Sequence, residues 1–219
     1  MGKHVNIVNA LHTRTERDYL ARMNDDKVAC MQIAREYERD YWDGDRRSGY
    51  GGYHYDGRWE PVARNLVERY NLKDGARILD VGCGKGFLLF ELWKLIPSAN
   101  VVGFDRSRYA IAHAKEEIRD CLYCGRAEDP YRHDVEEFDL VISLTTLHNL
   151  MIGELVASLK EIERVGKQKY IVVESYRSEQ ELFNLQCWAL TAESYFRPEE
   201  WKWVFDVARY TGDYEFIYF

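Results

Sequence analysis

The sequence predicts an α/β protein: a doubly wound, mostly parallel sheet with helices on both faces and a helical N-terminal cap. Three observations predict it. Short apolar runs alternate with helical periods from residue 77 onward, a glycine-rich turn follows the first of these runs, and nothing before residue 60 reads as a strand. Apolar strands that lack polar alternation imply a sheet covered on both sides, and strands that alternate with helices imply parallel pairing.

Residues 1 to about 42 read as amphipathic helix. Thr13 and Glu16 have capping-box spacing, and Asp25 or Asp26 opens a second helix through "KVACMQIAREYERDYW". The stretch 43–61, "DGDRRSGYGGYHYDGRWEP", has no helical period and reads as a glycine- and aromatic-rich loop. Helix resumes after Pro61, with Ala63, Leu66, Val67 and Tyr70 on one face. Then "RILDV" (77–81) is a strand, and "FLLFELWKLI" is a helix ended by Pro97. "NVVGFD" (100–105) is the second strand, and Ser107 caps a helix through residue 120. "CLYC", "FDLVISL" (138–144), "KYIVVES" (169–175) and "YEFIYF" supply four more strands. Between them lie a helix carrying Leu155, Leu159 and Ile162 that Gly166 closes, one that Ser178 and Glu181 cap, and one that Pro198 opens. The chain thus divides into a cap with a loop (1–60) and one α/β domain (61–219).

Composition narrows the function. A net charge of −7, with no run of five basic residues, disfavours a nucleic-acid surface. No secretion-signal core or membrane-length apolar segment is visible, so the simple reading is a soluble, cytoplasmic protein without a membrane partner. Five cysteines, an odd number, favour reduced thiols, and Cys121 and Cys124, despite their Cys-x-x-Cys spacing, read as structural rather than metal-binding.

The turn "VGCGKG" lets backbone approach a ligand at a helix N-terminus. A dinucleotide site wants G-x-G-x-x-G, but Phe87 stands at the third glycine position, and the spacing here is G-x-G-x-G. With Asp80, Gly82, Gly84 and Gly86 in register, the stretch resembles motif I of the class I S-adenosylmethionine-dependent methyltransferases. The resemblance runs in order through residues 61–175 and implies a Rossmann-like sheet of six or seven strands. It also implies that S-adenosylmethionine is the cofactor and S-adenosylhomocysteine the product. On it, Asp80, Gly82, Cys83, Gly84 and Gly86 form the cofactor turn, and Asp105, followed by Arg106, binds the ribose hydroxyls. Ala127 and Glu128 (or Asp129) meet the adenine, although Arg126 stands where the family's acid is expected, and Ser143 and Leu144 face the methionine end. The family's sheet usually closes with an antiparallel hairpin. Here "DYEFIYF" offers a single strand, so either the sheet is one strand short or residues near 183–191 supply another, and an open edge leaves room for a homodimer.

The methyl acceptor must be read from the site rather than from the fold. "SLTT" lacks the proline pair that marks enzymes acting on exocyclic base nitrogens, which agrees with the charge in pointing to a small molecule. His148 is the candidate base, with helix packing as its alternative role. Glu174 and Tyr176, on the same strand-end rim, are candidates to orient a substrate hydroxyl or amine. In the loop, Tyr50, Tyr53 and Tyr55 either close over the site or pack the N-terminal helices, and Arg46 and Arg58 suit a phosphate or carboxylate. The expected reaction is methyl transfer to oxygen of a small polar metabolite of anionic or sugar- or nucleotide-linked type. The alternatives are N-methylation of a small amine and a cofactor-binding sensor or partner subunit without turnover.

Overall fold

The computed structural model describes residues 2–13 and 16–219. The core is a six-stranded sheet of β1 (Arg77–Val81), β2 (Asn100–Asp105), β3 (Leu122–Cys124), β4 (Phe138–Leu144), β5 (Gly166–Glu174) and β6 (Asp213–Ile217). The order is 3-2-1-4-5-6 and every pair is parallel. The strand order reverses between β1 and β4, and such a switch point opens a crevice at the carboxyl ends of the strands. The expected parallel α/β sheet is therefore present, with β6 parallel rather than part of an antiparallel hairpin.

Alternation along each strand feeds two cores. Ile78, Leu140, Ile142, Tyr170 and Val172 face one side, where α5 (Glu60–Arg69) and α6 (Phe87–Leu95) cover them. Leu79, Val81, Val141, Ile171 and Val173 face the other, beneath α9 (Ile152–Val165) and α11 (Pro198–Ala208), whose Trp201 and Phe205 are fully buried. No described helix is long and apolar enough to cross a membrane.

Three segments depart from the sequence expectation. Residues 2–8 do not form a helix. They run beside β6, with Val5 N–H donating to the Tyr214 carbonyl at 2.9 Å and Tyr214 N–H to that of Lys3 at 3.1 Å. They occupy the sheet edge that had seemed open to a second chain. Residues near 183–191 supply no strand, because α10 (Glu179–Trp188), capped by Ser178, takes most of them. The single helix expected after Ser107 is split into α7 (Arg108–Ala112) and α8 (Glu116–Arg119) by an extended Lys115, whose ammonium lies 5.0 Å from the Tyr55 ring and 4.9 Å from that of Phe90.

The remaining N-terminal helices are short: α1 (Asn9–His12), α2 (Tyr19–Asn24, capped by Asp18), α3 (Lys27–Ala34, capped by Asp26) and α4 (Arg39–Trp42). Thr13 ends α1 instead of capping a helix, and the parts of the helical expectation at residues 1, 14 and 15 lie outside the described residues. The break between α3 and α4 centres on Tyr37, at φ 54°, and it redirects Trp42 onto the glycine turn. One buried carboxylate ties the segment down. Glu215 accepts from the N–H groups of Ile7 (2.6 Å), Val8 (3.1 Å) and Asn9 (2.6 Å) and from the Tyr170 hydroxyl (2.6 Å). Glu215→Gln places an amide N–H2 among these donors, and we expect it to destabilise the fold by about 2–3 kcal/mol, read as a lower urea midpoint at unchanged slope.

Candidate active site

The candidate site lies on the C-terminal rim of the sheet, where β1 ends in the glycine turn. Gly82, Gly84 and Gly86 all have positive φ (79°, 55° and 68°). At Gly82 a Cβ would sit 2.2 Å from the Thr146 hydroxyl, and at Gly84 2.7 Å from the Trp42 ring, so side chains are excluded by space as well as by backbone. A cavity of about 750 Å³ opens above the turn, within the size range of metabolite sites. A smaller one of about 90 Å³ shares Trp42, Tyr50, Gly82 and Leu144 with it.

Most of the expected cofactor residues reach these two cavities. Asp80, Cys83 and Gly84 line the larger; Asp105, Arg106, Ala127 and Glu128 line the smaller; and Leu144 lines both. Arg126, in the place of the family's acid, is ion-paired to Glu128 on the wall of the small cavity. Gly86 lies behind the turn, where a Cβ would strike Ile118 and Leu122, and serves helix packing. Ser143 is buried beneath the rim, its hydroxyl donating to the Val81 carbonyl at 2.9 Å.

Two carboxyls on this rim are withdrawn from water. Asp105 accepts from Gly84 N–H at 2.9 Å and Ser107 N–H at 2.8 Å, one bond to each oxygen, and faces the small cavity. Burial raises its pKa, and the two amides oppose that rise. Asp80 is pushed up to about 8, by burial first and by the neighbouring Asp105 charge second. No hydrogen bond from a described residue reaches the Asp80 carboxyl. A buried acid without a partner, facing a cavity beside a glycine cradle, fits a ligand that brings its own positive charge, and S-adenosylmethionine carries an ammonium and a sulfonium.

His148 and Glu174 meet on the wall of the large cavity. Burial lowers the His148 pKa to about 3, so its ring is neutral. Its Nδ1 faces the backbone N–H of Glu174 at 3.3 Å and must accept there, which assigns the proton to Nε2, 3.4 Å from Glu174 Oε2. Glu174 is itself pushed up to about 7 by burial, against the opposing pull of Arg17. Tyr176 is turned away from both cavities, packing with Leu185 and Ala189 under the Arg197 guanidinium.

The loop seals the site from above. Trp42 and Tyr50 stack with centroids 5.3 Å apart, Tyr53 follows at 4.7 Å from Tyr50, and Tyr53 in turn stacks on Phe87 at 5.1 Å. Tyr50 and Tyr53 line the cavity, so the same rings do the packing and the closing. Tyr55 does not share this role. Its hydroxyl donates to buried Glu91 at 2.5 Å and its ring packs on Phe90, outside the cavity. Arg46 and Arg58 do reach the cavity wall, Arg58 while held by Asp56. The loop is fastened by Lys85, from inside the glycine turn. Its buried ammonium donates to both Asp43 oxygens at 2.7 Å and to the Tyr53 carbonyl at 2.9 Å, and the Tyr109 hydroxyl also donates to Asp43 at 2.9 Å.

A methyltransferase domain model matches residues 72–213. The chain belongs to the methyltransferase-domain family. Its fold agrees with the Rossmann-like class I S-adenosylmethionine-dependent branch: a putative methyltransferase of Bacillus halodurans superposes with a TM-score of 0.54 at 19% identity, over 67% of each chain. Malonyl-[acyl-carrier protein] O-methyltransferase of Bacillus cereus is 36% identical over 91 residues, 39% of this chain and 33% of that protein. Ribosomal RNA small subunit methyltransferase C of Buchnera aphidicola is 27% identical over 110 residues, 48% and 31% respectively. The match thus spans about a third of these relatives' length.

Several wall residues carried no signal in the sequence. Arg17 and Arg22, from the N-terminal segment, and Trp188, at the end of α10, join the cavity only because the segment folds against α10. Lys85, in contrast, stands inside the motif at a position whose side chain the motif leaves free. Lys85→Met releases the loop, and we expect the amides of Gly52 and Tyr53, both bonded to the Trp42 carbonyl, to exchange at least about tenfold faster, in line with the loss of ~1–3 kcal/mol of charge-assisted bonding.

Proposed function

We propose that the protein transfers a methyl group from S-adenosylmethionine to a hydroxyl oxygen of a small polar acceptor bound in the large cavity. The observation that carries this reading is the pair at the cavity wall: a buried carboxyl titrating near 7 beside a neutral imidazole.

In this reading the cofactor spans both cavities, with Asp105, Arg106, Ala127 and Glu128 about its nucleoside and Asp80 with the Gly82–Gly84 backbone about its amino-acid end. Bound there, S-adenosylmethionine supplies an electrophilic methyl group on a sulfonium. The chain supplies alignment, exclusion of water and removal of the acceptor's proton. Glu174, rather than His148, takes that proton. The imidazole's Nδ1 is committed to a backbone donor and its low basicity leaves it neutral, so His148 acts by holding Glu174 through Nε2–H. Glu174, pushed up to about 7, is ionised in about half of its molecules near pH 7 and has the basicity that proton transfer near neutral pH favours. The stacked roof of Trp42, Tyr50 and Tyr53 keeps solvent from the reacting atoms. A small acceptor suits a cavity of about 750 Å³, and the oxygen target agrees with a relative that is an O-methyltransferase of malonyl-[acyl-carrier protein].

Glu174→Gln keeps the His148 contact but removes the base. We expect kcat to fall by about a hundred- to ten-thousand-fold with S-adenosylmethionine affinity retained. Wild-type kcat/KM should rise with pH through about 7, as Glu174 loses its proton, and a flat profile from pH 5 to 9 overturns the assignment. Cofactor binding has its own signature. Asp80 is protonated in the free protein below about 8, and a cation set against it displaces that proton. Calorimetry at pH 7 in buffers of different ionisation enthalpy should therefore show proton release close to one per cofactor, abolished in Asp80→Asn.

A further inference from the structure

Three guanidinium groups converge on one indole at the cavity wall. Arg17, Arg22 and Arg46 lie 5.5, 4.8 and 5.1 Å from the Trp188 ring, and all four residues line the large cavity. Each arginine comes from a different place: Arg17 precedes α2, Arg22 lies within it, and Arg46 belongs to the loop that roofs the site. The hydrogen bonds of Arg22 and Arg46 go to neutral acceptors. Arg22 donates to the carbonyls of Arg46, Arg47 and Trp188, Arg46 to those of Gly49 and Tyr50, and Arg17 to the carbonyl and ring of His12. Among the described residues, no carboxylate lies in ion-pair range of Arg22 or Arg46. The other arginine on the wall, Arg58, is by contrast neutralised by Asp56.

Cations gathered in this way repel one another. Burial, then the charge of Arg46, depresses both Arg22 and Arg17, although Arg17 also feels Tyr19 and Glu174. His12 adds no charge, because burial and Arg17 hold it neutral, with its pKa lowered to about 4. Stacking on an indole offsets part of the repulsion, an anion set beside Arg22 and Arg46 offsets more, and planar guanidiniums bind carboxylate and phosphate oxygens through paired N–H groups.

We propose that Arg17, Arg22 and Arg46, backed by Trp188, form an oxyanion subsite that holds a phosphate or carboxylate group of the methyl acceptor. This rests on the reading of the large cavity as the acceptor site, and it specifies the substrate class: a small metabolite with an anionic head at the arginines and a free hydroxyl within reach of Glu174. Since Arg46 belongs to the roof and Arg17 and Arg22 to the N-terminal segment, an anion between them also clamps the roof shut.

The test titrates protein saturated with S-adenosylhomocysteine with inorganic phosphate, glutarate or glycerol, at ionic strength matched with potassium chloride. Calorimetry and thermal melting are the readouts. Saturable binding and a raised melting temperature with phosphate or glutarate, but not glycerol, are expected, and the better of the two anions tells a phosphorylated from a carboxylic acceptor. Arg46→Gln and Arg22→Gln should each weaken that binding about tenfold or more, while S-adenosylhomocysteine affinity stays within about twofold and so reports an intact fold. If neither anion saturates at tens of millimolar, or both bind the variants as tightly as the wild type, the subsite is refuted. Loss of S-adenosylhomocysteine binding in the wild type would refute the methyltransferase reading instead.

Discussion

The ammonium of Lys85 decides where the roof of the cavity sits. It projects from the middle of the glycine turn, the part of the sheet rim with the least side-chain bulk, and takes hold of Asp43 and the Tyr53 carbonyl with almost no access to water. A buried charge is tolerable only when it is paired and fully bonded, so the loop must come down to the turn. Once it is there, Trp42 lies against Gly84 and the Tyr50–Tyr53 stack follows. The bareness that leaves a cavity open above the turn also admits the indole at Gly84.

Charge is distributed across the cavity in a consistent sense. The strand ends contribute acids, Asp80 from β1 and Glu174 from β5, both held back from ionisation by burial. The N-terminal segment and loop contribute guanidiniums. Under the proposed reading, a cationic cofactor meets the acids and an anionic acceptor meets the guanidiniums. The two sets already feel one another, since the Arg17 guanidinium opposes the burial that raises the Glu174 carboxyl.

The parallel sheet was legible because each buried strand must read as an apolar run, and β1, β2 and β4 have the limits expected of them. The glycine turn was legible for a related reason: the positive φ angles at Gly82, Gly84 and Gly86 demand glycine, and glycine is visible in a sequence. What stayed hidden depended on contacts distant along the chain. Residues 2–8 resemble helix locally, yet pair with β6 because Glu215 gathers their amides. The helix after Ser107 breaks at Lys115, where two rings over fifty and twenty residues upstream attract the ammonium. Tyr55 and Tyr53 are equivalent in composition and spacing, and only Glu91 draws one of them outward. Arg17 and Arg22 carry no signal in the sequence until Trp188 is placed beneath them.

The tether between Glu215 and the amides of residues 7–9 joins positions 206 to 208 apart in the sequence. Contacts of that range form late, since the intervening chain must already be arranged before they return any free energy. Val8, Leu11 and His12 are at the same time part of the cavity wall. Enclosure of the pocket therefore depends on a tether that spans most of the sequence, whereas the glycine turn is held by its neighbour in the sheet, with the Gly82 and Cys83 amides on the Phe104 carbonyl.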